Sequence, residues 1–187
     1  QRVGEHTGLE ASTVEGLLHV WVLVPGTTGN QRPKAMTTFV DPVFSGSNQN
    51  LRVTPLAFPQ QFSTCLLLHK IAAMIGKFAF STELVRAMFE HGASNGWLDV
   101  NQLPLASTAN GYVLFPGWSR LAELARLCDT LPHGPSAVSD WLTAAYATNA
   151  QLPTVIEALS LATEWNLVDV QHLAGTNGFN LSLAALR

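Results

Sequence analysis

Charge is what this chain has least of. Its 187 residues include only 10 Lys and Arg and 13 Asp and Glu, or 12%, against roughly 25% in an average soluble domain. Net charge is −3 and no basic run occurs, so few phosphates or anionic headgroups could be neutralised. No direct sequence-specific nucleic-acid partner and no membrane partner are expected. Scarce charge does not mean disorder here, because 47% of the residues are hydrophobic. The 46 Asn, Gln, Ser and Thr residues outnumber the charged ones twofold. The solvated surface must therefore be built largely from amides and hydroxyls.

Cysteine is almost as scarce. Cys65 and Cys128 are the only two, 63 positions apart, which is not a metal-binding spacing. Each falls within an apolar helical pattern, so both read as small buried hydrophobes rather than a disulfide. A reducing compartment follows. Long apolar runs are missing too. Residues 17–24 are interrupted by His19, and residues 65–75 by His69 and Lys70. Neither approaches the roughly 20 residues that a membrane span needs. The chain is not expected to span a membrane, and it opens on Gln1 with no pattern of a retained secretory signal. It reads as a processed product or one piece of a longer polypeptide, in the cytoplasm or in a viral particle assembled there.

The elements that are present change character near residue 60. Residues 1–15 are polar and read as an arm. Residues 17–24 are dense in β-branched and aromatic side chains and predict a strand covered on both faces, ended by Pro25-Gly26. Residues 36–40 and 51–58 predict two more extended segments, limited by Pro42, Pro55 and Pro59. Residues 45–50 read as a turn. From Phe62 onward the period becomes helical. Ser63 or Thr64 predicts the cap of a helix over 64–78, apolar on all faces and hence central. Ser81 predicts the next cap, with Leu84, Val85, Met88 and Phe89 inward and Gly92 beyond the end.

Ser119 predicts another cap, with Leu121, Leu124, Ala125, Cys128 and Leu131 on one stripe and Pro132 as the stop. Residues 138–148 read as a helix with Trp141, Leu142 and Ala145 inward. Thr154 and Glu157 have the spacing of a capping box for a helix to Trp165. Residues 167–174 predict a short helix closed by Gly175. Residues 112–115 are one further strand candidate, and the apolar end at 181–186 reads as a segment that docks on a neighbour. Strands before helices predict an α+β fold. The expected organisation is a polar arm (1–15) and a single α+β domain (16–187), β-rich over 16–60 and helical over 61–187. No repeat of period 20 to 50 is present.

No motif assigns a reaction. The loop from Pro25 to Lys34 carries Gly26, Thr27, Thr28, Gly29, Arg32 and Lys34, which could meet a phosphate. It lacks the Gly-Lys-Ser/Thr ending, and the extended reading of 36–40 leaves no helix to follow it, so a solvated connection is expected. None of the histidines (His6, His19, His69, His91, His133, His172) stands three or four residues from another, so no helix presents a metal pair. His69 reads as a core histidine bonded to a backbone carbonyl, and His133 as a surface residue in a rigid turn. Asp129 beside Cys128 makes no evident nucleophilic pair, and no Gly-x-Ser-x-Gly occurs. The tryptophans (Trp21, Trp97, Trp118, Trp141, Trp165) lack interleaved basic residues and read as core or interface packing. Asn180-Leu181-Ser182 fits a glycosylation triplet, which an Asn- and Ser-rich chain produces readily. No catalytic, cofactor-binding or metal residue is assigned, and the chain leans away from being an enzyme.

Two functions from different classes fit this profile. The first is a structural or assembly subunit, because surfaces rich in amides and poor in Lys and Glu match protein–protein contacts. In texture the chain resembles the helix-rich shell proteins of double-stranded RNA viruses, which implies a capsid piece that self-associates with copies of itself or with other segments of a larger parent polypeptide. The second is a small-molecule- or peptide-binding domain, even an enzyme. Its site would lie between the sheet and helix 64–78, with loop 26–34 and His69 or His91.

Overall fold

A computed structural model describes residues 8–28, 32–46, 52–93, 96–106, 111–176 and 178–185. The chain is all-α: 65% of it is helical, and the described residues contain no β-strand. The expected α+β class, with its β-rich stretch over 16–60, is therefore overturned. The chain divides into two compact units, residues Gln1–Thr82 with Leu98–Pro116, and residues Glu83–Trp97 with Gly117–Arg187.

Unit 1 begins with α1 (Ala11–Gly16), which runs straight into a π-helical turn over Leu17–Trp21. The wider winding is shown by the Val22 N–H, which donates to the Leu17 carbonyl five residues back at 3.2 Å. Gly16 is what lets the turn close: a Cβ there would lie 2.3 Å from the Trp21 ring. Only residues 22–24 of the expected strand are extended. Val24 N–H donates to the Pro33 carbonyl and Ala35 N–H to the Val22 carbonyl, both at 2.9 Å, around a single antiparallel bridge between Leu23 and Lys34. The other edge is satisfied by a side chain. Asn101, in a 3-10 turn at Val100–Gln102, accepts from Leu23 N–H at 2.9 Å and donates through Nδ2 to the Trp21 carbonyl at 3.3 Å. An amide thus takes the place of a neighbouring strand.

The second expected extended segment is also helical, as α2 (Ala35–Phe39) followed by α3 (Pro42–Ser45). Asp41 caps α3 by accepting from Val43 N–H at 2.8 Å, with Pro42 in the first turn. Most of residues 47–51 lie where the exposed turn was expected and fall outside the described residues. Residues 52–58 are non-helical, and Phe58 stacks edge-on against Phe44 with ring centroids 5.2 Å apart. The α4 helix then runs over Pro59–Phe78, five residues earlier than Thr64. Proline in its first turn replaces the expected hydroxyl cap. Its Gln61 is buried and donates to the Thr38 carbonyl at 3.1 Å, tying α4 to the end of α2.

The helix is not enclosed on every side as its composition suggested. Leu67, Ile71, Met74 and Ile75 are buried, whereas Cys65, His69, Ala73 and Gly76 form an exposed stripe. Residues 8–15 are not a detached arm. Thr13 is buried, and its hydroxyl lies 2.6 Å from that of Thr82.

Unit 2 follows its sequence signals more closely. In α5 (Thr82–His91) Leu84, Val85 and Met88 are buried, and Gly92 stands just past the end. The strand candidate at 112–115 belongs to unit 1 and is instead a 3-10 turn (Gly111–Leu114); it leads into α6 (Phe115–Thr130), which crosses into unit 2 at Gly117, so Ser119 sits inside the helix rather than capping it. The stripe Leu121, Leu124, Ala125 and Cys128 is buried as its spacing requires. The α7 (Gly134–Tyr146), α8 (Leu152–Thr163) and α9 (Leu167–Ala174) helices stack in chain order. Their shared core is Ala145, Val155, Ile156, Val170 and Ala174.

The Thr154–Glu157 capping box does not form, because α8 starts at Leu152 with Pro153 in its first turn. Asn166 caps α9 by accepting from Val168 N–H at 2.9 Å. The apolar end packs on its own unit, with Leu181 and Leu183 against the α7–α9 core. Backbone bonds from Phe179 to Leu173 and from Leu181 to Ala174, at 2.7 and 2.8 Å, occupy carbonyls that α9 would otherwise leave open.

Candidate functional site

A cavity of about 440 Å³ lies in unit 1, against the exposed side of α4. Cys65, Leu68, His69 and Ala72 form its α4 wall at the spacing of successive turns. Leu17 and Leu18 of the π-helical turn form a second wall, with Leu9 and Val14 beside them. Met36 and Phe39 of α2 form the third. Phe39 is held by Phe44, whose ring centroid is 6.3 Å away. Both leucines of the pair Leu17-Leu18, at the start of the π-helical turn, line the cavity.

The chemistry of this cavity is apolar. Among the described residues no carboxylate, Lys or Arg lines it, and the heteroatom side chains there are the Met36 thioether, the Cys65 thiol and the His69 imidazole. Desolvation pushes the Cys65 thiol above its ordinary 9.0, so at neutral pH it is a protonated thiol and not a nucleophile. Cys65 is nevertheless an exposed residue, against the expectation of a buried one, while Cys128 is buried as expected. Burial first and Asp129 second raise Cys128 to about 11, which removes it from thiolate chemistry as well. His69 is exposed at the cavity rather than a core histidine on a carbonyl.

The remaining candidates are not brought together there. Loop 25–34 opens with a turn at Pro25-Gly26, and its Thr27 hydroxyl donates back to the Val24 carbonyl at 2.6 Å; residues 29–31 lie outside the described residues. A helix does follow this loop, contrary to expectation, but α2 has only five residues and the loop still lacks the Gly-Lys-Ser/Thr ending. His6 lies outside the described residues. His19 and His172 are exposed.

His91 stacks on Tyr146 with ring centroids 4.1 Å apart, and its Nε2 is 3.9 Å from the Glu90 carboxylate. His133 is exposed, as its turn suggested, 3.4 Å from Glu164. Among the described residues no group of three or more His, Cys, Asp or Glu could hold a metal ion. The tryptophans are dispersed. Trp21 covers Gly16, Trp97 and Trp141 are half-buried, and Trp118 and Trp165 are exposed.

Sequence reasoning pointed to α4 and His69 but missed the other two walls. Val14 and Leu9 lay in a segment read as an arm, and Met36 and Phe39 in one read as a strand. Their signal was present: Val14, Leu17 and Leu18 stand at i, i+3 and i+4. In comparisons with protein-family models, with curated proteins and with solved structures, nothing matched this chain.

Outside the cavity, unit 2 presents large apolar side chains to solvent. Leu161 at the end of α8, Trp165 in the corner and Val168 in the first turn of α9 are 75%, 58% and 69% exposed. Glu164, left-handed at φ 58°, makes the corner between them. No described helix is long and apolar enough to cross a membrane.

Proposed function

We propose that this chain is a structural subunit that self-associates through protein–protein contacts, a piece of a shell such as a viral capsid. It would act in the cytoplasm or in a particle assembled there, with copies of itself or other segments of a larger parent polypeptide as partners. The observation that carries this reading is the exposed set Leu161, Trp165 and Val168 at one corner of unit 2. Three large apolar side chains left exposed within eight residues of sequence are candidate contact residues, and aromatic anchors dominate the energetics of such contacts. The scarcity of charge supports the same reading, since net charge −3 opposes association of like subunits only weakly.

Sedimentation over a concentration series tests it. Mass should rise with concentration, and Leu161→Ser with Trp165→Ser should hold the chain at monomer mass while its helical signal stays native. A wild-type chain that remains monomeric at hundreds of micromolar overturns the proposal. The alternative, a small-molecule-binding domain, is favoured by a separate observation, the concave apolar cavity against α4.

A further inference from the structure

We infer that the unit 1 cavity binds the hydrocarbon tail of a single-chain acyl or alkyl amphiphile. The inference deepens the binding-domain alternative and does not depend on self-association. Three properties of the site carry it. Its volume of about 440 Å³ lies within the range of small-molecule sites, roughly 300–1,000 Å³. Its walls come from three directions, α1 with the π-helical turn, α2 and α4, so it is concave rather than a flat helix face.

Its lining also offers water almost nothing to bond with, since aliphatic and aromatic side chains dominate and the Cys65 thiol stays protonated. An apolar guest that covers these walls removes them from water, which is favourable in proportion to the apolar area buried. A charged or polyhydroxylated ligand would lose its hydration there without replacement. A tail with one small polar head avoids that loss, because the exposed His69 marks where the cavity meets solvent and the head can stay wet. Met36 and Leu68 supply adaptable walls for a flexible chain.

Calorimetric titration of the whole chain with decanoate and with decanol tests the inference. Both should bind saturably at one site per chain and raise the melting temperature, because both share the tail. Octanoate, two methylenes shorter, should bind about tenfold more weakly. Cys65→Trp at the mouth and Ala72→Leu in the wall should each weaken decanoate at least tenfold while the helical signal stays native.

If neither variant folds, a diazirine-bearing decanoate on the wild type decides the matter. Labels within residues 9–18, 36–39 and 65–72 support the site, and labels confined to 161–168 overturn it. The inference also fails if decanoate binds but decanol does not, if chain length has no effect, or if decanoate dissociates an oligomer in proportion to its binding. The last result would show the cavity to be filled by a second copy. Failure of self-association alone leaves every one of these readouts intact.

Discussion

The two units are held together over different distances along the chain. In unit 2 the α7, α8 and α9 helices pack on their sequence neighbours and the tail folds back on the helix it follows, with the His91–Tyr146 stack as a longer tie. In unit 1 the ties are long. Thr13 reaches Thr82 across 69 residues, and Asn101 reaches Leu23 and Trp21 across 78 and 80. Local packing can be specified by caps, stops and periodicity within one segment. Long ties make the conformation of a segment depend on a partner that its own residues do not announce.

The sharpest way to break unit 1 is at the middle of α4. Ile71 is fully buried, so Ile71→Asp places an unpaired charge in the core and should abolish folding of unit 1, a loss of at least about 4 kcal/mol. Circular dichroism and urea denaturation would reveal it. A soluble variant with a cooperative, near-native transition would show that α4 is not the centre of that unit.

In unit 2 the corresponding break is at the tail. A Cβ on Gly178 would stand 2.2 Å from the Leu173 carbonyl oxygen, which is backbone and cannot rotate away. Gly178→Ala should cost about 3 kcal/mol, the upper part of the usual range for overpacking. Limited proteolysis should then cut first after Leu173, and unchanged stability in urea would contradict the docking of 181–183.

The Asn101 bridge gives a smaller effect. Asn101→Ala removes its bonds with the Leu23 N–H and the Trp21 carbonyl and should cost about 1–2 kcal/mol. Asn101→Asp keeps the acceptor for Leu23 and should lose less. Equal losses would mean that the Nδ2 bond to Trp21 carries the contact.

A further effect, confined to alkaline pH, is a pH dependence in unit 2. The Cys128 thiol is pushed up to about 11 from 9.0, chiefly by desolvation and secondarily by Asp129. Between those values the unfolded chain has lost the thiol proton and the folded chain keeps it. The unfolded state binds fewer protons there, so stability falls as pH rises from 9 to 11. Denaturation midpoints of wild type and Cys128→Ala should diverge in that window and run parallel below it.

The same contrast decides what could be read in advance. The stripe of Leu121, Leu124, Ala125 and Cys128 and the stop of α9 at Gly175 were legible, because spacing and punctuation act within one segment. Residues 17–24 were misread because their β-branched side chains state a preference for burial, and packing against α1 and α2 satisfies it with a π-helical turn as well as a sheet would. Helix starts were misplaced for a different reason. Pro59, Pro116 and Pro153 open α4, α6 and α8, whereas the hydroxyl residues downstream looked like caps. Of the cavity, only the α4 wall was visible, since the other walls belong to segments whose structure depends on it.

The amide of Asn101 has a consequence for how the chain reaches this structure. It closes a separation of 78 residues, so it forms only after α4 and the segments on either side have been brought together. Until then the Trp21–Leu23 backbone lacks its partner, within the stretch of highest β-propensity in the sequence, which also carries no Lys, Arg, Asp or Glu. Refolding is therefore a race between a distant intramolecular bond and pairing with the same stretch of another chain, and yield should fall as protein concentration rises.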